Sequence, residues 1–147
     1  TGIKPIIAFT ETTCASAAYW LASQARIIGM TPSATIGNVG VYALIEDTSK
    51  QMEMQGVNIQ AIYSGKYKLM GHPFQPLTEE ETKILQDDVI KQHNKFKAVI
   101  KSNRDIDDAN LEGLSYEGED ALKYNFVDYV VDSFEEFLTT QEEDSQE

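Results

Sequence analysis

A serine stands where a strand delivers the chain into a helix, and it is the first residue able to do chemistry. Ser16 lies in Cys14-Ala-Ser-Ala-Ala-Tyr-Trp20, after the strand-like run Pro5 to Phe9 and the polar turn Thr10-Glu-Thr-Thr13. It opens a small, apolar segment to about Ala25 that reads as a helix. There a hydroxyl sits near the positive end of the helix dipole, with free backbone N–H groups close by. That place suits a nucleophile or an anion-binding group. It suits a plain N-cap equally, the commonest task of serine at a helix start. Cys14 is a second candidate nucleophile, but it precedes the helix start and reads as a small packing residue.

Serine is a weak nucleophile until a base takes its proton. Histidine is available at His72 and His93 alone. His93 falls within the longest helical pattern and reads as a surface residue, whereas His72, in Gly71-His-Pro-Phe74, reads as a structural loop residue that leaves a histidine triad open. Lysine is the other option. A lysine with a reference pKa of about 10.4 must lose roughly 3 units to act near neutral pH, which corresponds to about 4 kcal/mol of differential solvation and requires burial. Lys68, between Tyr67 and Leu69-Met70, has apolar neighbours in sequence. The alternative reading is a solvated loop lysine.

The elements that must position these groups alternate short apolar runs with helical patterns, the signature of an α/β fold with a largely parallel sheet. Strands are expected at Pro5 to Phe9, Arg26 to Met30, Val41 to Leu44, Asn58 to Tyr63 and Phe126 to Val131. Residues 31–40 are rich in turn formers, and 64–77, with glycines and prolines, read as an irregular loop. Glu46 to Gln55 looks helical. The longest helix starts at a capping box, Thr78 with Glu81, and runs to about Asn103 on the spacing of Leu85, Val89, Phe96 and Val99 or Ile100. Short helices follow at Asp107 to Leu111, Glu117 to Tyr124 and Ser133 to Leu138. Residues 1–138 are expected to form one domain and 139–147 a disordered, acidic tail.

Composition narrows the functions. With 147 residues, 41% of them hydrophobic, the chain can bury a core. The 24 acidic against 12 basic residues give a formal charge of −12, which repels phosphate backbones and anionic membrane surfaces and argues against nucleic acid as a partner. One cysteine allows no intrachain disulfide, and no ligand cluster supports a metal or organic cofactor. No run of about 18 apolar residues is present, and Thr1-Gly-Ile-Lys-Pro5 lacks the layout of a signal peptide. The compartment is left undetermined.

Four segments together carry a family resemblance. Ala15-Ser-Ala-Ala-Tyr-Trp20 resembles the Ala-Ser-Gly-Gly-Tyr segment around the nucleophile of the signal peptide peptidase A family and its phage and prophage relatives. Gly37-Asn-Val-Gly-Val41 is similar to that family's Gly-Ser-Ile-Gly-Val passage, and Ser64 to Glu81 to its lysine loop. Tyr116 to Asp128 resembles its closing Tyr-Gly, Ala-Leu and Leu-Val-Asp pattern. The four occur in the family's order across about residues 5 to 132.

The resemblance implies a crotonase/Clp protease-like fold and a serine peptidase in which Ser16 attacks and Lys68, neutral and buried, is the general base. It implies a peptide or protein substrate, with hydrophobic segments of signal peptides or of phage capsid scaffold as the targets. It implies a homo-oligomer too, in which serine and lysine can come from the same or from different subunits. Asn38 stands where the family usually has the serine that orients the lysine; its amide oxygen could accept from Lys68, or it is simply a turn asparagine. Ala17 and Ala18, in place of glycines, imply close helix packing and the phage-like branch.

The family's oxyanion hole draws on a glycine-rich loop about one strand before Pro5, and no Ser-Pro-Gly-Gly or similar stretch is found here. The expectation is therefore the C-terminal portion of a peptidase domain, its upstream part missing and any membrane contact made through that part. Losing such donors costs about 10²-fold or more in rate, so the intact protein is the expected active species. A catalytically silent crotonase-like oligomeric scaffold is the alternative. A crotonase acting on acyl-coenzyme A is disfavoured by the acidic surface and the lysine loop.

Overall fold

The computed structural model describes residues 4–144, with side chains to residue 141. Two compact units divide the chain: one runs to Gly40 and resumes at His93, and the other is Val41–Gln92.

The six strands among the described residues lie in the first unit. Ile7–Thr10 (β1) leads to Thr13–Ala15 (β2), Ala17–Ala22 (α1), Ile27–Met30 (β3) and Thr35–Gly37 (β4). After the second unit come Ser115–Glu117 (β5), Gly118–Lys123 (α4), Tyr129–Val130 (β6) and Phe134–Asp144 (α5). Strand β3 pairs in parallel with β1, Ile7 opposite Ile27, and with β6, Gly29 opposite Tyr129. A second sheet has β2 parallel to β4 and β4 antiparallel to β5. Parallel neighbours require a crossover, which α1 supplies between β1 and β3. The expected α/β architecture, largely parallel with flanking helices, is what forms.

Strand β3 is apolar along its length because a parallel strand is covered on both faces. Ile28 and Met30 join Tyr19, Ile36, Phe96, Ile100 and Phe126 in the core. Gly29 faces α5, where a Cβ would lie 2.6 Å from Phe137 Cδ2 and 2.9 Å from Phe9 Cδ2. The Phe137 ring is itself held against Phe9 at 5.1 Å and Tyr129 at 6.0 Å, so it has little room to yield. Gly29→Ala is expected to cost about 1–3 kcal/mol of stability, read from urea unfolding, and a neutral result would show that the aromatic cluster can shift.

Three strands went unread in the sequence. β2, β4 and β5 have three residues each, too few for period-two alternation to show, and they sit in stretches dominated by turn formers. Two expected strands do not form. Val41 to Leu44 and Asn58 to Tyr63 are irregular, and Tyr42, Leu44 and Ile62 are 80%, 85% and 93% exposed, so no ladder partner covers them within the described residues.

The second unit holds Ser49–Met54 (α2), the irregular loop expected at 64–77 and the start of Glu79–Lys101 (α3). The Thr48 N–H and hydroxyl both donate to Pro73 O, at 2.8 and 3.0 Å, which ties the front of α2 to the loop. The capping box of α3 is present, with Glu81 N–H donating to Thr78 Oγ1 at 3.2 Å and Thr78 N–H to the Glu81 carboxylate at 3.0 Å.

Helix α5 continues through residues 139–144 of the expected acidic tail, and 145–147 lie outside the described residues. Ser133 Oγ accepts the Glu136 N–H at 3.1 Å, the Glu136 carboxylate accepts the Asp132 N–H at 3.0 Å, and Glu135 and Glu136 occupy the first turn. Acidic residues at that end favour a helix. Among the described residues no helix is long and apolar enough to cross a membrane.

Candidate active site

Ser16 links the end of β2 to the start of α1 with φ 55° and ψ −123°. These angles match the first central position of a type II′ turn, which glycine normally fills. A side chain held in so sparsely populated a region costs about 1–3 kcal/mol, and such strain gathers at functional sites. A serine on a strained strand-to-helix turn also presents its hydroxyl beyond the sheet, the device of the nucleophile elbow. The N-cap alternative fails: the Ser16 side chain makes no capping hydrogen bond.

Backbone bonds hold the turn. Ser16 N–H donates to Gly37 O at 2.8 Å and Ser16 O accepts from Trp20 N–H at 3.0 Å. Because β2 and β4 run in parallel with Ala15 opposite Gly37, their carboxyl ends deliver Ser16 and Asn38 side by side. The region beyond the carboxyl ends of parallel strands is where α/β proteins place their ligands. Asn38 also has positive φ, 53°. Its N–H donates to Leu114 O at 2.8 Å and its Nδ2 to Gly113 O at 3.2 Å. This is the turn-asparagine role; the amide oxygen is the end left for an incoming donor.

Beneath the turn, Tyr19 is fully buried and its hydroxyl donates to Phe126 O at 3.0 Å; burial pushes the phenol far above its ordinary pKa. Trp20 stacks on Phe96 with centroids 4.6 Å apart. Cys14 packs against the core, and burial raises its thiol pKa, which disfavours the thiolate a cysteine nucleophile needs. Ala17 and Ala18 are exposed rather than closely packed, because α1 covers the core with Tyr19 and Trp20 instead.

Lys68 belongs to the other unit. Its N–H closes a turn on Gly65 O at 3.1 Å. Next to it, Lys66 Nζ contacts both Glu80 carboxylate oxygens at 2.7 and 2.9 Å, and Tyr67 donates its hydroxyl to Glu80 at 2.6 Å. Within the single chain the Lys68 side chain is exposed. Tyr67 turns toward Glu80, and Leu69 and Met70 are only half-buried, so apolar neighbours in sequence do not become an apolar pocket.

The two histidines are held in different ways. His72 lies against Phe74 with ring centroids 4.4 Å apart and its buried Nδ1 has no hydrogen-bond partner. His93 is half-buried, and its Nε2 is bonded to the carbonyls of Leu111 and Val39, which corrects the surface reading. No signal in the sequence marks it, because its bond to Val39 spans 54 positions.

The profile of Peptidase family S49 matches residues 1–146, and the chain belongs to that family. Similar proteins include the putative protease MJ0651 of Methanocaldococcus jannaschii, 32% identical over 131 residues, covering 86% of this chain and 42% of that protein. The putative signal peptide peptidase SppA of Enterococcus faecium is 28% identical over 130 residues, covering 86% of this chain and 38% of its own. Capsid assembly protease C of Escherichia phage lambda is 28% identical over 134 residues, 89% of this chain and 30% of its own. The chain thus spans less than half the length of these relatives. Signal peptide and phage capsid branches both lie within reach of the sequence, as the motifs implied.

Proposed function

We propose that this chain carries the site of a serine peptidase, with Ser16 as nucleophile and Lys68 as general base. The strained backbone of Ser16, with its hydroxyl unused as a cap, is the observation that carries the reading. Ser16 Oγ attacks the scissile carbonyl while the neutral Lys68 amine takes the hydroxyl proton. The C–N bond then breaks and the lysine ammonium returns the proton to the leaving amine. Water repeats the sequence on the acyl-enzyme, with Lys68 again as base. The amide oxygen of Asn38 is available to accept from the lysine.

Lys68 is exposed within the single chain; contacts from a neighbouring subunit would bury it, which favours a homo-oligomer whose active site forms between subunits. The exposed Tyr42, Leu44 and Ile62 of the unit that holds Lys68 give such an assembly apolar surface to bury. Within the same unit a cavity of about 440 Å³ is lined mostly by apolar residues, Val41, Ile45, Leu77, Leu85 and Val89 among them, with Thr82 and Gln86 as polar members. Its apolar walls suit a hydrophobic peptide side chain, in keeping with signal peptide or capsid scaffold segments as substrates.

A catalytically silent scaffold is the second reading, and the exposure of Lys68 is what favours it. The two are separated by incubating full-length protein with an unstructured peptide that contains an apolar segment, and mapping products by mass spectrometry. Cleavage by wild type, lost in both Ser16→Ala and Lys68→Ala, is the expected result. Mixing the two variants restores cleavage if the dyad is shared between subunits. No cleavage by folded, assembled wild type leaves the scaffold.

A further inference from the structure

His93 commits its ring to two backbone carbonyls. Nε2 lies 2.8 Å from Leu111 O and 3.2 Å from Val39 O. A carbonyl oxygen only accepts, so Nε2 must carry the proton and share it in a three-centre bond. Val39 and Leu111 are both fully buried, which keeps solvent from replacing that donor.

The two carbonyls belong to the two segments that build the turn beside Ser16. Val39 follows Asn38 directly. Leu111 begins the stretch whose Gly113 and Leu114 carbonyls hold the Asn38 amide and N–H. Gly37, one residue earlier, accepts the Ser16 N–H, and a Cβ on Gly37 would lie 3.1 Å from Leu114 O. Residues 37–39 and 111–114 therefore fit closely, and the His93 ring joins them.

We propose that His93 is a positioning residue for the active-site turn: its Nε2–H fixes Val39 to Leu111, and so keeps Asn38 and, through Gly37 O, the Ser16 backbone in place. The catalytic part of this inference rests on the reading of Ser16 as nucleophile. The bracing part does not.

Three measurements on the full-length protein test it. A long-range ¹H–¹⁵N correlation spectrum of the wild type should show the His93 ring protonated at Nε2; a ring protonated at Nδ1 alone overturns the proposal. Amide exchange at Ser16 and Asn38 should quicken by about tenfold or more in His93→Leu, which lacks the donor, and stay close to wild type in His93→Gln, which keeps one. Equal exchange in all three removes the brace, whatever Ser16 does. On a peptide substrate, kcat should fall by about tenfold or more in His93→Leu with KM little changed, and return in His93→Gln, as expected for a displaced nucleophile. Exchange that responds while kcat does not would end the catalytic part. If Ser16→Ala proves as active as wild type, the nucleophile reading fails instead, and exchange still decides the brace. Should His93→Leu not fold, the wild-type tautomer and exchange at Ser16 and Asn38 in His93→Met, which also lacks the donor, decide it.

Discussion

Replacing Ser16 by glycine is expected to raise the stability of the protein by up to about 2 kcal/mol while removing the proposed hydrolysis. At φ 55° and ψ −123° the serine bears a strain of about 1–3 kcal/mol that glycine does not feel. Against this stands the added freedom of glycine in the unfolded chain, about 0.5–1 kcal/mol, so the net gain is modest. Ser16→Ala separates the two contributions: it keeps the Cβ and the strain and loses the hydroxyl. Both variants should lose about 10⁴-fold or more in kcat, yet only glycine should unfold at higher urea. Stability given up for chemistry is the usual trade at an active site. A glycine variant less stable than the alanine one would show that the turn is not strained, and would remove the main structural support for the nucleophile.

The second large effect concerns Arg104, which is buried, and its partly exposed partner Asp128. Arg104 Nη1 donates to both Asp128 carboxylate oxygens at 2.8 and 2.9 Å, and Nε and Nη2 donate to Asn125 O at 3.0 and 2.9 Å. Asp128 in turn accepts the Ile28 N–H at 2.8 Å, joining this knot to the central strand β3. The Arg104 side chain is only 8% exposed, so Asp128→Ala leaves a guanidinium with little water and Ile28 without its acceptor. The expected cost is about 3–5 kcal/mol, toward the lower end because water reaches the half-exposed Asp128 position. Asp128→Asn, which keeps an acceptor for Ile28, should cost less. Urea unfolding of the three proteins checks both numbers. A loss under about 1 kcal/mol in Asp128→Ala would mean that the pair is solvated and does not anchor residues 125–128.

Much of this was legible in the sequence where the signal was local. The capping box of α3 names its own first turn, and the apolar run of β3 identifies a strand buried on both faces. Ser16 could be picked out as the residue at a strand-to-helix junction, but its dihedral angles could not, because they follow from the pairing of β2 with β4, which are three residues long. Lys68 shows that neighbours in sequence are not surroundings: Tyr67 beside it donates to Glu80, thirteen positions on, and the lysine side chain is exposed within the single chain. Val41 to Leu44 and Asn58 to Tyr63 have strand composition without a strand, since composition supplies the apolar faces and not the partner that must cover them. The start of α5 is set by capping from Ser133 and Glu136 and by the burial of Phe137.

The central claim is that Ser16 is a nucleophile activated by Lys68, and covalent labelling tests it most directly. Full-length wild type, Ser16→Ala and Lys68→Ala are treated with a serine-reactive fluorophosphonate and read by intact mass and peptide mapping. The account predicts a single adduct on Ser16 in the wild type, absent from Ser16→Ala and strongly slowed in Lys68→Ala, with all three proteins folded and assembled alike. A folded wild type that takes no label while a control serine–lysine peptidase does, or a label that persists in Ser16→Ala, would contradict it.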